Sequence, residues 1–124
     1  MSKRINQQHH DFMVKYMVGQ LLQAGFSKIY ADIPGHKKPT PIKFQSAAYC
    51  PDIYAEKDLE KILIEVETDD SINEDHTEYE WTAFNNFKKS NNAVLIFVAP
   101  GISRHKLFLR AFELGIKDVK FLGA

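Results

Sequence analysis

The sequence predicts an α/β protein in which a central mixed sheet is flanked by helices. Apolar residues recur at helical spacing in three segments, other short segments have strand-like alternation or a continuous apolar run, and the two kinds follow one another along the chain. The 124 residues, 44% of them hydrophobic and 26% charged, suit one folded domain over residues 1–124.

The first half of the chain predicts a helix and then three strands. Its elements are a helix over 9–24, a strand over 28–33, a loop over 34–41, and strands over 47–55 and 61–68. Gly25 is a helix stop signal, and the loop contains three prolines and a glycine, which do not fit a hydrogen-bonded ladder. The last two strands are close enough in sequence to form a hairpin.

The second half alternates helices and strands. Its elements are a helix from Ser71 to about Lys89, a strand over 92–99, a helix over 103–114 and a strand over 119–122. Ser71 followed by Glu74 matches a capping box, and the almost wholly apolar 92–99 run is typical of a strand buried on both faces. The predicted order is therefore α-β-β-β-α-β-α-β.

Two acids in the third strand indicate a functional site. Because side chains of a strand alternate between faces, Glu65 and Glu67 lie on the same side. Carboxylates are rarely buried unless they are paired or bind a metal, and hard divalent cations prefer oxygen ligands. Asp52 is placed to supply a third oxygen from the neighbouring strand. These three residues therefore predict a metal site.

The pattern of Pro51-Asp52, twelve intervening residues and Glu65-Val66-Glu67 resembles the PD-(D/E)xK, or restriction-endonuclease-like, nuclease superfamily. The predicted element order is that family's αβββαβ core with one more αβ unit. The chain also looks like the small archaeal and phage Holliday-junction-resolvase-like members. Glu67 stands where the family has its motif lysine.

The resemblance implies a metal-dependent DNA endonuclease that hydrolyses phosphodiester bonds through Asp52, Glu65 and Glu67. Mg²⁺ or Mn²⁺ would be bound by Asp52, Glu65 and the Val66 carbonyl, and Glu67 would help to hold a second ion or act as a general base. The resemblance and the two cuts that a duplex requires also imply a homodimer. The alternative is a catalytically decayed module of the same fold that binds nucleic acid or a partner protein.

Lys15 on the first helix is a candidate for the positive group that the motif lacks, with His10 and Asp11 one turn before it. Solvated helix surface is the alternative for all three residues. His76 and Glu80 lie four residues apart on the second predicted helix, where they either face the site or form a surface pair.

Net charge is zero, but the charge is unevenly distributed. Residues 52–80 hold twelve Asp and Glu against two Lys, and the rest of the chain is correspondingly basic. This asymmetry suits either an acidic metal-collecting centre flanked by a basic surface or an ordinary solvated charge run. The candidate phosphate contacts are Lys37, Lys38, Lys43, Lys88, Lys89 and Arg104.

The sequence also predicts where the protein works. Residues 1–8 contain no apolar stretch typical of a signal peptide, and the longest apolar runs have strand length. We therefore expect a cytoplasmic protein with no membrane partner. The single cysteine, Cys50, has no partner for an internal disulfide and is expected to be a small buried residue beside the site.

Overall fold

The structure is a computed structural model that describes residues 7–124. Most of the segment on which the prediction of no signal peptide rests lies outside the described residues. The helices are α1 (Gln7–Gln23), α2 (Asp75–Asn91) and α3 (Arg104–Glu113). The strands are β1 (Lys28–Ala31), β2 (Ile42–Phe44), β3 (Ala47–Tyr49), β4 (Ile53–Lys57), β5 (Glu60–Val66), β6 (Val94–Ala99) and β7 (Lys120–Gly123).

A mixed sheet with strand order β1-β4-β5-β6-β7 is the centre of the fold. The β1–β4 and β4–β5 pairs are antiparallel, whereas β5–β6 and β6–β7 are parallel. The parallel pairs are joined through α2 and α3, as parallel neighbours require a crossover. The prediction of an α/β protein with a central mixed sheet and flanking helices is confirmed.

Helices cover both faces of this sheet. On one face α1 buries Met13, Val14, Met17, Val18 and Leu21 against the sheet. On the other face α2 packs through Trp81 and Phe84, and α3 packs through Leu107 and Ala111. The side chains of β5 alternate between the two cores. Ile62, Ile64 and Val66 face α1, and Leu63 faces α2.

The predicted strand over 47–55 is wrong as a single element. Residues 47–49 are β3, which pairs with the unpredicted strand β2 in a separate hairpin, whereas β4 in the central sheet begins at Ile53. The break falls at Pro51, which has no backbone N–H to continue a ladder. The hairpin turns at Gln45, whose φ of 57° is in the left-handed region.

The predicted start of the second helix at Ser71 is also wrong. α2 begins at Asp75, after a turn over residues 71–73. Ser71 does not act as the N-cap because its hydroxyl is engaged by the segment before it, where it accepts a hydrogen bond from the Thr68 N–H at 3.0 Å. α2 ends at Asn91, and the next residue, Asn92, has the left-handed conformation with φ 52°.

The strand register brings four chain segments to one edge of the sheet. Ala31 pairs with Ile53, Ile53 with Ile64, and Ile64 with Ile96. Because β1, β5 and β6 run toward this edge and β4 starts from it, the residues that follow β1, precede β4 and end β5 meet there. Asp52 and Glu65 both lie at this edge.

Candidate active site

Asp52 and Glu65 lie side by side on neighbouring strands. The pairing of Ile53 with Ile64 places Asp52 opposite Glu65, and the Asp52 backbone N–H donates a hydrogen bond to Glu65 Oε1 at 3.3 Å. The two residues are 5% and 1% exposed. Burying two acids together is costly unless hydrogen bonds or a cation compensate their charge.

Protein groups compensate part of the charge on Asp52. The Val66 backbone N–H donates to Asp52 Oδ2 at 2.8 Å, and His10 Nε2 lies 3.1 Å from Asp52 Oδ1. The other ring nitrogen of His10 lies 3.0 Å from Asp11 Oδ1. The buried His10 imidazole therefore bridges two carboxylates and fixes the position of Asp52.

A cavity of about 440 Å³ opens over the two acids. Its lining comes from α1, from the segment after β1, from the β3 end of the hairpin and from the first half of α2. The lining residues are Gln7, His10, Asp32, Ala48, Tyr49, Cys50, Asp52, Glu65, His76 and Glu80. Both alternatives for His76 and Glu80 apply: the two residues line the cavity, and they also form a pair, with His76 Nε2 at 3.6 Å from Glu80 Oε1.

Glu67 does not line this cavity. Its Oε1 accepts a hydrogen bond from the Ser71 hydroxyl at 2.5 Å, and its Oε2 accepts one from Trp81 Nε1–H at 3.2 Å. The residue is completely buried. Burial of this acid is thus explained by protein donors, which connect the end of β5 to α2. The structure brings Asp52 and Glu65 together at the cavity and directs Glu67 into the core on the α2 side.

Lys15 lies on exposed helix surface and is not among the cavity-lining residues. It follows His10 by five residues, which is about 140° around the helix axis. His10, in contrast, is 2% exposed and directed at Asp52. Of the first-helix candidates, the structure places His10 at the site and leaves Lys15 on the surface.

The predicted phosphate contacts fall in three separate places. Lys37, Lys38 and Lys43 are exposed on the loop and hairpin beside the site, where Lys38 pairs with Asp32 at 3.5 Å. Exposed Arg104 donates from Nε to the Phe121 carbonyl at 3.0 Å, near β7.

The remaining two, Lys88 and Lys89, lie near the end of α2. Lys88 is buried, and its Nζ donates to the Lys117 carbonyl at 2.5 Å, so it serves as an internal cation rather than as a surface contact. Burial lowers its pKa. Lys89 is exposed, but it lies more than two helical turns beyond Glu80.

Asp32 is a lining residue that could not be assigned from sequence. Asp32 directly follows β1, and its N–H donates to the Asp52 carbonyl at 2.9 Å, a pairing of strand ends that only the register reveals. Cys50 is half-buried beside the site, close to the expectation for a free cysteine. Burial and the nearby Asp32 and Asp52 charges raise the pKa of its thiol to about 11, so Cys50 is not an activated nucleophile at neutral pH.

The donor set at the cavity suits a hard cation. Within residues 7–124, no group of three or more His, Cys, Asp and Glu side chains is arranged to hold a metal ion. Mg²⁺ usually needs only one or two protein carboxylates, since waters and phosphate oxygens complete its octahedron. Asp52 and Glu65 fit one such ion in number and chemistry. Glu67 does not fit a second ion in its present hydrogen-bonded position.

Comparisons with protein-family models, with curated proteins and with solved structures gave no significant match. No helix within residues 7–124 is long and apolar enough to cross a membrane. The fold and the site therefore define an α/β protein with a buried pair of carboxylates at one edge of a mixed sheet, facing a polar cavity.

Proposed function

We propose that this chain is a Mg²⁺- or Mn²⁺-dependent DNA endonuclease with a restriction-endonuclease-like core. The observation that carries the proposal is the buried pair of Asp52 and Glu65 on adjacent strands, facing a cavity open to solvent. Without the β2–β3 hairpin, the elements of the central sheet and its helices follow the order αβββαβ plus αβ. That order and this placement of the acids agree with the PD-(D/E)xK resemblance.

In this proposal, the carboxylates of Asp52 and Glu65 and the Val66 carbonyl hold the ion. An ion held there would supply polarisation of the scissile phosphate and a lower pKa for a water. His10 acts as a positioning residue through Asp52, which its Nε2 contacts at 3.1 Å. The exposed Lys37, Lys38 and Lys43 contact phosphates of the DNA backbone, which gives salt-dependent affinity without sequence specificity.

Glu67 has a different role in this proposal from the one its motif position implies. One carboxylate oxygen of Glu67 accepts a hydrogen bond from Ser71 and the other accepts one from Trp81. Glu67 therefore fixes α2 against the end of β5. The sheet edge carrying Glu65 and the helix carrying His76 and Glu80 are thereby held in register. A working site then depends on one ion, held by two acids.

The second candidate function is a DNA- or protein-binding module that has lost catalysis. The observation that favours it is the absence of the motif lysine, whose position holds an acid engaged in the core. Retention of Asp52 and Glu65 favours the enzyme, because an inactive site has no need to keep two costly buried acids together.

The test is metal-dependent nicking of supercoiled and branched DNA. Wild type and Glu60→Gln, a matched control at an exposed acid on the same strand, are expected to cleave in Mg²⁺ or Mn²⁺, while Glu65→Gln is expected to be inactive. In the same buffers, Mn²⁺ at a hundredfold excess over its Kd should stabilise wild type by ~2.7 kcal/mol and should not stabilise Glu65→Gln. Metal-induced stabilisation without cleavage would favour the binding module.

The proposal includes a homodimer acting in the cytoplasm. Cutting both strands of a duplex or junction takes two sites, which a symmetric dimer supplies. Sedimentation velocity with and without branched DNA measures the oligomeric state directly. A protein that remains monomeric on DNA and only nicks would restrict the proposed activity to single strands.

A further inference from the structure

A second cavity of about 450 Å³ lies on the same side of β4 as the acid pair. Its size is within the range of small-molecule sites. Three half-buried aromatic rings contribute to its lining, from β1, β4 and α2. The Tyr30 and Tyr54 ring centroids are 6.3 Å apart, and the Phe87 ring meets Tyr54 edge-on at 6.2 Å. Partly exposed aromatic faces of this kind are stacking platforms for bases.

The polar groups of this cavity favour a ligand that donates hydrogen bonds. Tyr54 donates its hydroxyl to Glu56 Oε2, and an ionised carboxylate only accepts. Burial and Glu56 raise the pKa of Tyr54 to about 12, which keeps the hydroxyl protonated as a donor. Glu56 therefore presents acceptor capacity to whatever occupies the cavity. Adenine, cytosine and guanine carry exocyclic amino groups, and thymine does not.

The cavity also lies close to the Asp52 and Glu65 pair, where the proposed function puts the scissile phosphate. Pro51 lines this cavity and the adjacent Asp52 lines the first one. Asp52 and Tyr54 are two residues apart, so their side chains leave the same face of the chain about 7 Å apart. Two lysines lie beside the rings, since Lys43 lines the cavity and Lys37 Nζ is 5.8 Å from the Tyr30 ring centroid.

We infer that this second cavity binds one unstacked nucleobase with an exocyclic amino group, from the DNA strand whose phosphate lies at Asp52 and Glu65. Only the position of that phosphate rests on the proposed function. The base stacks on the Phe87 ring and meets the Tyr54 ring, which is perpendicular to Phe87, with its edge. Its amino group donates to Glu56, and Lys43 faces the backbone. The result is a preference for adenine, cytosine or guanine over thymine at one nucleotide next to the cut.

The test uses the full chain and 2-aminopurine deoxyriboside, whose fluorescence is quenched by stacking. We expect saturable quenching that deoxyadenosine, deoxycytidine and deoxyguanosine reverse at lower concentration than thymidine does. Phe87→Leu, which keeps an apolar side chain and removes the ring, should weaken binding roughly fivefold to a hundredfold. Phe112→Leu, at an exposed ring on α3, is the matched control and should leave binding unchanged.

Glu56→Gln tests the amino-group contact. Because an amide both donates and accepts, this variant should bring thymidine to within about twofold of the other nucleosides. Absence of saturable quenching at millimolar nucleoside would overturn the inference, as would equal losses in Phe87→Leu and Phe112→Leu. Quenching that cyclohexanol reverses as well as the nucleosides do would also overturn it, in favour of an apolar side chain of a protein partner.

Glu65→Gln separates this inference from the proposed nuclease. Free nucleosides carry no phosphate, so their binding should be unchanged in this variant. Nucleoside binding in a protein that never cleaves DNA would uphold the base site and remove the endonuclease. Cleavage by wild type without nucleoside binding would uphold the endonuclease and remove the base site.

Discussion

Replacing Glu67 by lysine restores the letters of the PD-(D/E)xK motif, and the structure predicts that it unfolds or strongly destabilises the protein. Glu67 is completely buried and accepts hydrogen bonds from Ser71 and Trp81. A lysine there removes both acceptors, leaves the Trp81 N–H without its partner and adds a buried ammonium group. The resemblance to the motif and the buried contacts of Glu67 therefore give opposite expectations for the same substitution.

The magnitude follows from the contacts. Each hydrogen bond to a charged group contributes about 1.5–3 kcal/mol, and a buried charge that loses its partner costs about 3–5 kcal/mol. We expect Glu67→Lys to lose at least ~4 kcal/mol of the free energy of unfolding, a large part of the ~5–15 kcal/mol of a typical domain. For a chain of this size that corresponds to about 15 °C in melting temperature.

Thermal melts followed by circular dichroism in metal-free buffer measure this loss. Glu67→Gln, whose amide can still accept from Trp81 and donate to Ser71, should lose only ~1–2 kcal/mol. Glu60→Lys makes the same charge change at an exposed position on β5 and should stay within ~0.5 kcal/mol of wild type. A Glu67→Lys protein that melts within about 3 °C of wild type would refute the argument that Glu67 is fixed in the core.

Two further predictions concern single residues away from the acid pair. Lys88→Met should lower the free energy of unfolding by ~1–3 kcal/mol in chemical denaturation, since it removes the donor to the Lys117 and Asp118 carbonyls, whereas exposed Lys89→Met should change it little. Equal stability of the two variants would mean that Lys88 is not a structural cation. Cys50 should react slowly with iodoacetamide at pH 7–8 and faster as the pH approaches the thiol pKa of about 11, because only the thiolate attacks. Rapid alkylation of the folded protein at pH 7 would contradict that raised pKa.

The sequence predicted most of the central sheet because each of its strands has a strong local pattern. The almost wholly apolar 92–99 run contains β6, and the predicted strand over 61–68 contains most of β5. The opposition of Asp52 and Glu65 was also predictable, since a short hairpin allows few registers. These features depend on residues that are close to one another in sequence.

The parts that could not be predicted depend on contacts between distant segments. The pairing of β2 with β3 outside the central sheet is a tertiary preference that three-residue strands do not encode. Ser71 matched a capping box, yet it serves Glu67 and Thr68 because the end of β5 lies against it. Helical spacing places Lys88 on the same face of α2 as Trp81 and Phe84, but its carbonyl acceptors at Lys117 and Asp118 lie on a segment distant in sequence.

The His10 contact with Asp52 spans 42 residues of chain. Helical spacing places His10 on the apolar face of the helix with Met13 and Met17, and Lys15 off that face. Sequence spacing could not show that this face brings His10 to Asp52. Asp52 is thus held by a side chain from an element that the motif does not include.

The β2–β3 hairpin has a consequence for how the two cavities respond to ligands. Ala48 and Tyr49 on its second strand line the first cavity, and Ile42 and Lys43 on its first strand line the second. A two-stranded hairpin is at best marginally stable by itself, so this one depends on its packing against α2. A ligand that orders the hairpin from one cavity lowers the entropic cost of binding in the other. We therefore expect a ligand that orders the hairpin in one cavity to favour binding in the other.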